Sequence, residues 1–159
     1  MDASVIWKQG MIFTGTTNSG FSVPLDALPE AGGVQGGFDP LGLMVVSLGG
    51  CTAMDVISIL QKKRQQITHF DVKVHAEQAV EHPRVFTSAV IEYEVTGHHV
   101  DEVAVRRSIE LSALRYCPAQ NMLGKVFPIA LKYSIFEGDD IENRKLVKSW
   151  DYIPVDSPQ

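Results

Sequence analysis

The sequence predicts an α+β fold in which helices pack against a largely antiparallel sheet. One observation is a segment without charge, from Pro40 to Met54, within an apolar helix-like run that ends near Arg64. A second is the strict alternation of apolar and polar residues over 70–77, which is typical of a half-buried strand. The third is the order of the predicted elements: a β-rich start, a long helix, two strands, two helices and one strand.

The first 38 residues are predicted to form short strands and turns. Apolar triplets at 5–7 and 11–13 indicate two strands, and the polar run 16–20 indicates the turn before a returning strand at 21–23. The glycine-rich segment 31–37 is predicted to be a flexible loop.

The long helix is predicted to run from Pro40 to Arg64. Asp39 before Pro40 is typical of a helix start, because aspartate caps free N–H groups and proline fits the first helical position. The helix is apolar nearly all round, which predicts central burial. Asp55 in its middle would be costly in lipid, so we interpret the segment as a core helix and not a membrane span. One stripe at helical spacing is small and polar. It consists of Ser47, Cys51, Asp55, Ser58 and Lys62.

The strand at 70–77 is predicted to turn its even-numbered, apolar residues inward. A turn at 81–83 leads to its partner strand at 85–95, and the last strand is predicted at 127–136.

Two helices lie between the second and third of these strands. The first is predicted from Val100 to Tyr116 and the second from Cys117-Pro118 to about Gly124. Four residues are expected to form the apolar side of the first helix: Val105, Ile109, Ala113 and Tyr116. A single domain is predicted over 1–136, followed by an irregular C-terminal extension over 137–159.

Composition narrows the class of protein. Hydrophobic residues make up 45% and charged residues 21% of the 159 positions, which is typical of a soluble globular domain. The net charge of −5 argues against a nucleic-acid partner, which requires a basic face. The N-terminus lacks a charged segment followed by an apolar stretch, so a cytoplasmic location is predicted. In the cytosol, cysteines are more often catalytic or redox-active than structural.

The chain has two cysteines, Cys51 and Cys117, and they form no CxxC motif. The five histidines are predicted at the surface, so neither a metal site nor a cofactor is expected. Cys117 precedes Pro118 and is predicted to cap a helix N-terminus, which lowers the pKa of a thiol, with Arg115 as a possible addition. Cys51 lies one turn from Asp55, whose charge disfavours a thiolate. The residue pattern alone does not decide which cysteine attacks, and two buried, unreactive cysteines would satisfy it equally.

Three segments carry a resemblance to a known family. They read DPLGLM at 39–44, SLGGCTAMDV at 47–56 and YCP at 116–118. In this order, with two strands and a helix between the last two, they resemble the OsmC/Ohr family of osmotically inducible and organic-hydroperoxide-resistance proteins. The GGCT sequence followed by DV is most similar to the YhfA-like branch. The resemblance covers about residues 5–136.

The resemblance implies antiparallel sheets packed on a long central helix, in an intertwined homodimer with two active sites at the subunit interface. It also implies that Cys51 attacks a hydroperoxide and that Cys117 resolves the resulting sulfenic acid as an intramolecular disulfide. A dithiol, such as a lipoylated protein or thioredoxin, would then reduce the pair. The protein implied is a thiol-dependent hydroperoxide reductase or a related redox protein. The net charge and the central Asp55 predict neither nucleic acid nor a membrane as a partner.

The sequence departs from the peroxidase branches in two places. Those branches carry an N-terminal arginine that stabilises the thiolate and a glutamate that holds this arginine. Here residues 1–63 contain no arginine, and the turn where the glutamate is expected reads Leu41-Gly42. A thiolate without a cation is less populated, so slower peroxide reduction is expected. Two alternatives stay open: a non-catalytic dimer that binds a small apolar molecule at its interface, and a thiol-based redox sensor.

Overall fold

The computed structural model describes residues 1–152. The chain divides into two compact units, one of residues 1–46 and one that starts at Ser47. The first unit contains a three-stranded sheet, and the second contains a four-stranded sheet with its helices. The mixed α+β class predicted from the sequence is confirmed.

The sheet of the first unit consists of β1 (Ala3–Gln9), β2 (Ile12–Thr17) and β3 (Ser22–Leu25). Both pairings are antiparallel, in the order β1-β2-β3. The turn between β1 and β2 requires the left-handed backbone of Gly10, whose φ is 52° and which a side chain would strain. The predicted succession of short strands and turns is therefore confirmed.

Asp26 organises the glycine-rich loop that follows β3. Its side chain is buried, and its carboxylate accepts hydrogen bonds from the backbone N–H groups of Ala27, Val34 and Gly36. These bonds, first that from Gly36, hold the pKa of Asp26 below its usual range. The segment expected to be a flexible loop thus follows a path set by one buried carboxylate.

The long helix, α1, spans Pro40–Lys62, close to the predicted range. At its start, Oδ1 of Asp39 accepts the backbone N–H of Gly42 at 2.7 Å, as expected of a cap. Beyond its end, Arg64 has a φ of 56°, a left-handed conformation that cannot continue the helix.

Within one chain, α1 is buried on one side only. Its buried residues are Leu48, Gly49, Thr52, Val56 and Leu60. Its exposed apolar residues are Leu41, Met44, Val46 and Met54. By length and composition it is the one helix among residues 1–152 that could span a membrane. Its buried leucines and valine belong to the hydrophobic core of the second unit, which is what the sequence led us to expect of a core helix.

The sheet of the second unit has the order β4-β5-β6-β7. Its strands are β4 (Gln66–Gln78), β5 (Phe86–His98), β6 (Ile129–Glu137) and β7 (Lys145–Tyr152). The even-numbered residues of β4 from Phe70 to Ala76 pack against the core, as the alternation predicted. The pairs β4–β5 and β6–β7 are antiparallel, but β5 and β6 are parallel because a helical crossover joins them.

The expectation of an irregular C-terminal extension is wrong for residues 145–152. These residues form β7, which pairs with β6, and the ring of Trp150 stacks on Tyr133 with 5.4 Å between centroids. Pairing with an exposed sheet edge and burying an indole stabilise this strand despite its polar sequence. Residues 153–159 lie outside the described part of the chain.

The helical crossover consists of α2 (Glu102–Leu111), a π-helical turn (Ser112–Tyr116) and α3 (Pro118–Leu123). Asp101 caps α2 by accepting the N–H of Val103 at 3.0 Å. A single helix up to Tyr116 was predicted, with that tyrosine on its apolar side. The wider π turn rotates the residues after Leu111 away from the α-helical register, and Tyr116 is 51% exposed instead.

His98, at the end of β5, links that strand to the last residue of β6 and to the segment that follows it. Its Nδ1 lies 3.3 Å from the carboxylate of Glu137, and its Nε2 lies 2.9 Å from that of Asp139. These two hydrogen bonds, first that of Asp139, raise the pKa of His98. The stability they contribute is fully present below the unfolded-state pKa of about 6.5 and is lost as the pH rises through the raised folded-state pKa.

We therefore expect His98→Gln to reduce stability at about pH 5.5 and to change it less at about pH 8.5. Urea unfolding of both proteins at the two pH values measures this difference. His82→Gln, at an exposed position in the β4–β5 connection, is the control. An equal loss of stability at both pH values would show that His98 acts by packing and not by charge.

Candidate functional site

The structure brings the two cysteines together. Cys51 lies on α1, and Cys117 lies between the π turn and α3. Their sulfur atoms are 3.0 Å apart, with the Cys117 thiol donating a hydrogen bond to the sulfur of Cys51, and both are free thiols. The expectation that the two residues are close enough to bridge within one chain is confirmed.

Cys117 is fully buried and caps α3 by accepting the N–H of Gln120 at 3.3 Å. Burial, followed by the hydrogen bond to Cys51, raises its pKa to about 12, although the Gln120 N–H acts in the opposite direction. The expected capping position is confirmed, but the expected lowering of the pKa is wrong because burial outweighs the N-terminal N–H group. Arg115 is exposed and is not among the groups that shift this pKa.

Cys51 is the more accessible of the two sulfurs. It is half-buried, while Cys117 has no exposed surface. Of the polar stripe on α1 predicted from the sequence, Asp55 and Ser58 are also half-buried, and Ser47 and Lys62 are exposed. The stripe therefore runs from the surface into the cysteine site and does not form a uniform solvated face.

Beside the cysteines lies a buried series of hydrogen bonds that we call the hydroxyl chain, made of Tyr93, Thr52, Ser112 and Asp55. Thr52 Oγ1 lies 2.7 Å from the Tyr93 hydroxyl and 2.9 Å from Ser112 Oγ. Ser112 Oγ in turn donates to Asp55 Oδ2 at 3.0 Å. Burial raises the pKa of Tyr93, so the phenol keeps its proton.

Sequence reasoning missed three members of the hydroxyl chain. Thr52 directly follows Cys51, so its hydroxyl could have been assigned to the site from the sequence. Tyr93 lies on the strand predicted at 85–95, and the hydroxyl of a buried tyrosine usually has a hydrogen-bond partner. Ser112 was available as well, because it lies three residues after Ile109 and seven after Val105, on the buried side of the predicted helix.

The described residues were compared with the side-chain clusters that bind metal ions. Within residues 1–152, no three histidine, cysteine, aspartate or glutamate side chains are grouped so that they could hold a metal ion. The histidine with the most contacts, His98, is held between two carboxylates.

The first unit holds an apolar pocket of about 260 Å³. Its lining residues are Val5, Met11, Phe13, Leu25, Asp26, Ala27 and Pro40. The volume approaches the lower end of the range for small-molecule sites, roughly 300–1,000 Å³.

Comparison with protein families gives a match over most of the chain. Residues 32–132 match the model of the family described as OsmC-like protein. The protein YhfA of Escherichia coli K12 is 36% identical over 135 residues, which cover 85% of this chain and 98% of YhfA.

Solved structures show the same fold. An OsmC-like protein from Mycoplasma pneumoniae is 19% identical, with a TM-score of 0.72 over 84% of this chain and 95% of the other. An organic hydroperoxide resistance protein OsmC from Legionella pneumophila is 15% identical, with a TM-score of 0.61 over 84% of this chain and 94% of the other. At these identities the likeness extends to the fold alone.

Proposed function

Because this chain belongs to the OsmC-like protein family, we propose that it is a cysteine-based reductase of organic hydroperoxides. The observation that carries the proposal is the 3.0 Å distance between the sulfurs of Cys51 and Cys117. A sulfenic acid formed on one cysteine has the other thiol within reach and resolves to a disulfide without a large movement.

The environments of the two sulfurs support different roles. The fully buried Cys117, with its pKa raised to about 12, stays a thiol and acts as a hydrogen-bond donor. Cys51 accepts that hydrogen bond and is the more accessible sulfur. A hydrogen bond to an ionised acceptor is stronger than one to a neutral acceptor, so this geometry suits Cys51 as the attacking thiolate. Cys117 then acts as the resolving thiol.

The proposed reaction cycle has three steps. The Cys51 thiolate attacks the distal peroxide oxygen, the O–O bond breaks, and the products are Cys51 sulfenic acid and an alkoxide that is protonated to the alcohol. The Cys117 sulfur then attacks the Cys51 sulfur and displaces the hydroxyl group, which leaves as water with the Cys117 proton. Finally, an external dithiol reduces the disulfide to two thiols and is itself oxidised.

The Cys117→Ser variant tests the order of these steps. We expect it to react once with tert-butyl hydroperoxide and to accumulate sulfenic acid on Cys51, because no resolving thiol is present. Trapping with dimedone followed by peptide mass spectrometry measures the adduct. Unmodified Cys51 after a full equivalent of hydroperoxide would contradict the assignment, while the same experiment with hydrogen peroxide tests the preference for organic peroxides.

We also propose that the protein acts as a homodimer in the cytosol, with a second copy covering the exposed apolar side of α1. Met54 in the middle of this helix is 69% exposed in one chain. Exposed apolar surface along a long helix is typical of an interface. The family resemblance described above implies the same arrangement.

Replacing Met54 with lysine should therefore shift the protein from dimer to monomer, because the interface would have to bury an unpaired charge. Sedimentation velocity at micromolar concentration measures the change. Val103→Lys on α2, at a valine that is 72% exposed, is the matched control. A wild-type protein that sediments as a stable monomer would contradict the proposed dimer.

The second candidate function is the non-catalytic binding of a small apolar molecule, and the pocket of the first unit favours it. An apolar fluorescent dye provides a direct probe. Two results together would support this function over the first. The dye would bind the wild type but not Phe13→Ala, and the wild type would not react with hydroperoxides.

A further inference from the structure

The hydroxyl chain connects three separate elements of the second unit. Tyr93 lies on β5, Thr52 and Asp55 lie on α1, and Ser112 begins the π turn. The side chains of Tyr93, Thr52 and Ser112 have no exposed surface. Buried polar groups of this kind are costly unless each is hydrogen-bonded, so the chain holds the three elements in one arrangement.

The direction of every hydrogen bond in the chain follows from counting protons. A hydroxyl group has a single proton to donate. Ser112 donates its proton to the carboxylate of Asp55, so the bond between Thr52 and Ser112 must be donated by Thr52. Thr52 then has no proton left for Tyr93, and the phenol must donate to Thr52. Every hydrogen bond of the chain therefore points from the phenol of Tyr93 towards the carboxylate of Asp55, which fixes the orientation of the Ser112 hydroxyl.

Ser112 is the member bonded both to the backbone of Cys117 and to α1, the helix that carries Cys51. Its backbone carbonyl accepts the N–H of Cys117 at 2.9 Å. Its hydroxyl accepts from Thr52, the residue after Cys51, and donates to Asp55, one helical turn further along α1. One residue thus joins the backbone that carries Cys117 to the helix that carries Cys51.

We propose that Ser112 is a positioning residue of the cysteine pair, which holds the Cys117 sulfur against the Cys51 sulfur by bonding α1 through its hydroxyl and Cys117 through its carbonyl. Its hydrogen bonds to Thr52, Asp55 and the backbone of Cys117 reach neither sulfur, so its role is in placement and not in the chemical step. The inference rests on the proposed function in that it takes the two cysteines as the reacting pair.

Removing the Ser112 hydroxyl should loosen this placement. In Ser112→Ala, the proton of Thr52 and the carboxylate of Asp55 each lose a buried partner, and the π turn loses the two side-chain hydrogen bonds of Ser112 to α1. The effective concentration of the Cys117 thiol at Cys51 then falls, and with it the equilibrium constant for forming their disulfide.

The experiment is an exchange equilibrium between the full-length protein and mixtures of reduced and oxidised dithiothreitol. Protein dithiol and oxidised dithiothreitol give protein disulfide and reduced dithiothreitol, and acid quenching, alkylation and mass spectrometry measure the two protein forms. We expect Ser112→Ala to lower the equilibrium constant about tenfold. No peroxide takes part, so a protein inert to hydroperoxides would overturn the proposed function and leave this measurement intact.

Ser108→Ala is the matched control. Ser108 is also fully buried and lies one turn earlier, but its hydroxyl donates to Ala104 O within the same helix, 2.7 Å away. The disulfide equilibrium constant of Ser108→Ala should stay within about twofold of that of the wild type. An unchanged constant in Ser112→Ala, or an equal fall in both variants, would overturn the proposal.

A second pair of variants covers the case in which Ser112→Ala does not fold. Thr52→Val breaks the chain with nearly the same volume, whereas Thr52→Ser keeps the hydroxyl. We expect the valine variant to lower the disulfide equilibrium constant and the serine variant to retain most of it. Equal constants in these two variants, with both proteins folded by thermal denaturation, would overturn the proposal as well.

Discussion

Replacing Cys51 with serine should reduce the turnover of tert-butyl hydroperoxide by at least about a thousandfold, the scale expected when a nucleophile is removed. A serine hydroxyl is not ionised at neutral pH, and no other residue at the site offers an equivalent nucleophile. Cys117 does not replace it, because that thiol is fully buried and its pKa is raised to about 12. Peroxide consumption in the presence of excess dihydrolipoamide measures the loss.

The control for this experiment is Cys117→Ser, which keeps the attacking sulfur. It should retain the first oxidation step while losing the intramolecular disulfide. If Cys51→Ser keeps its turnover and Cys117→Ser loses it, the two roles are reversed. If neither substitution changes the turnover, the cysteine pair is not the site of peroxide reduction.

Replacing Leu60 with alanine should destabilise the protein by about 2–5 kcal/mol, the range found for truncating buried leucines. Leu60 is the last fully buried residue of α1 and belongs to the core cluster that includes Ile91 and Val95 of β5. The loss combines the transfer free energy of the removed methyl groups with the cavity left in a close-packed interior.

Urea unfolding under reducing conditions measures this change in the free energy of unfolding. Val103→Ala on α2, at a position 72% exposed, should change it by less than about 0.5 kcal/mol. A loss at Leu60 no larger than that at Val103 would show that the face of α1 carrying Leu60 does not pack as the structure indicates.

Periodicity and capping chemistry predicted most of the fold, because these signals are local. Asp39 before Pro40 located the start of α1, and the apolar residues from Phe70 to Ala76 identified the inward face of β4. The strand β7 was missed because its sequence is polar, and its stability depends on pairing with β6 and on the stacking of Trp150.

The two cysteines of the candidate site could be predicted from the sequence, but their surroundings could not. The family resemblance identified Cys51 and Cys117, and the structure places their sulfurs in contact. The pKa of Cys117 could not be predicted from its place at a helix N-terminus, because burial by distant segments of the chain dominates it. Helical spacing after Val105 and Ile109 places Ser112 inward, but its hydrogen bonds to Thr52 and Asp55 depend on the packing of α1, for which the sequence has no local signal.

The most direct test of the proposed function is the mass of the protein after treatment with one equivalent of tert-butyl hydroperoxide, analysed without reductant. The proposed cycle predicts a single polypeptide chain that has lost two hydrogen atoms, with a peptide containing Cys51 linked by a disulfide to a peptide containing Cys117. Two free thiols after complete mixing, or a disulfide found only between different chains, would contradict it.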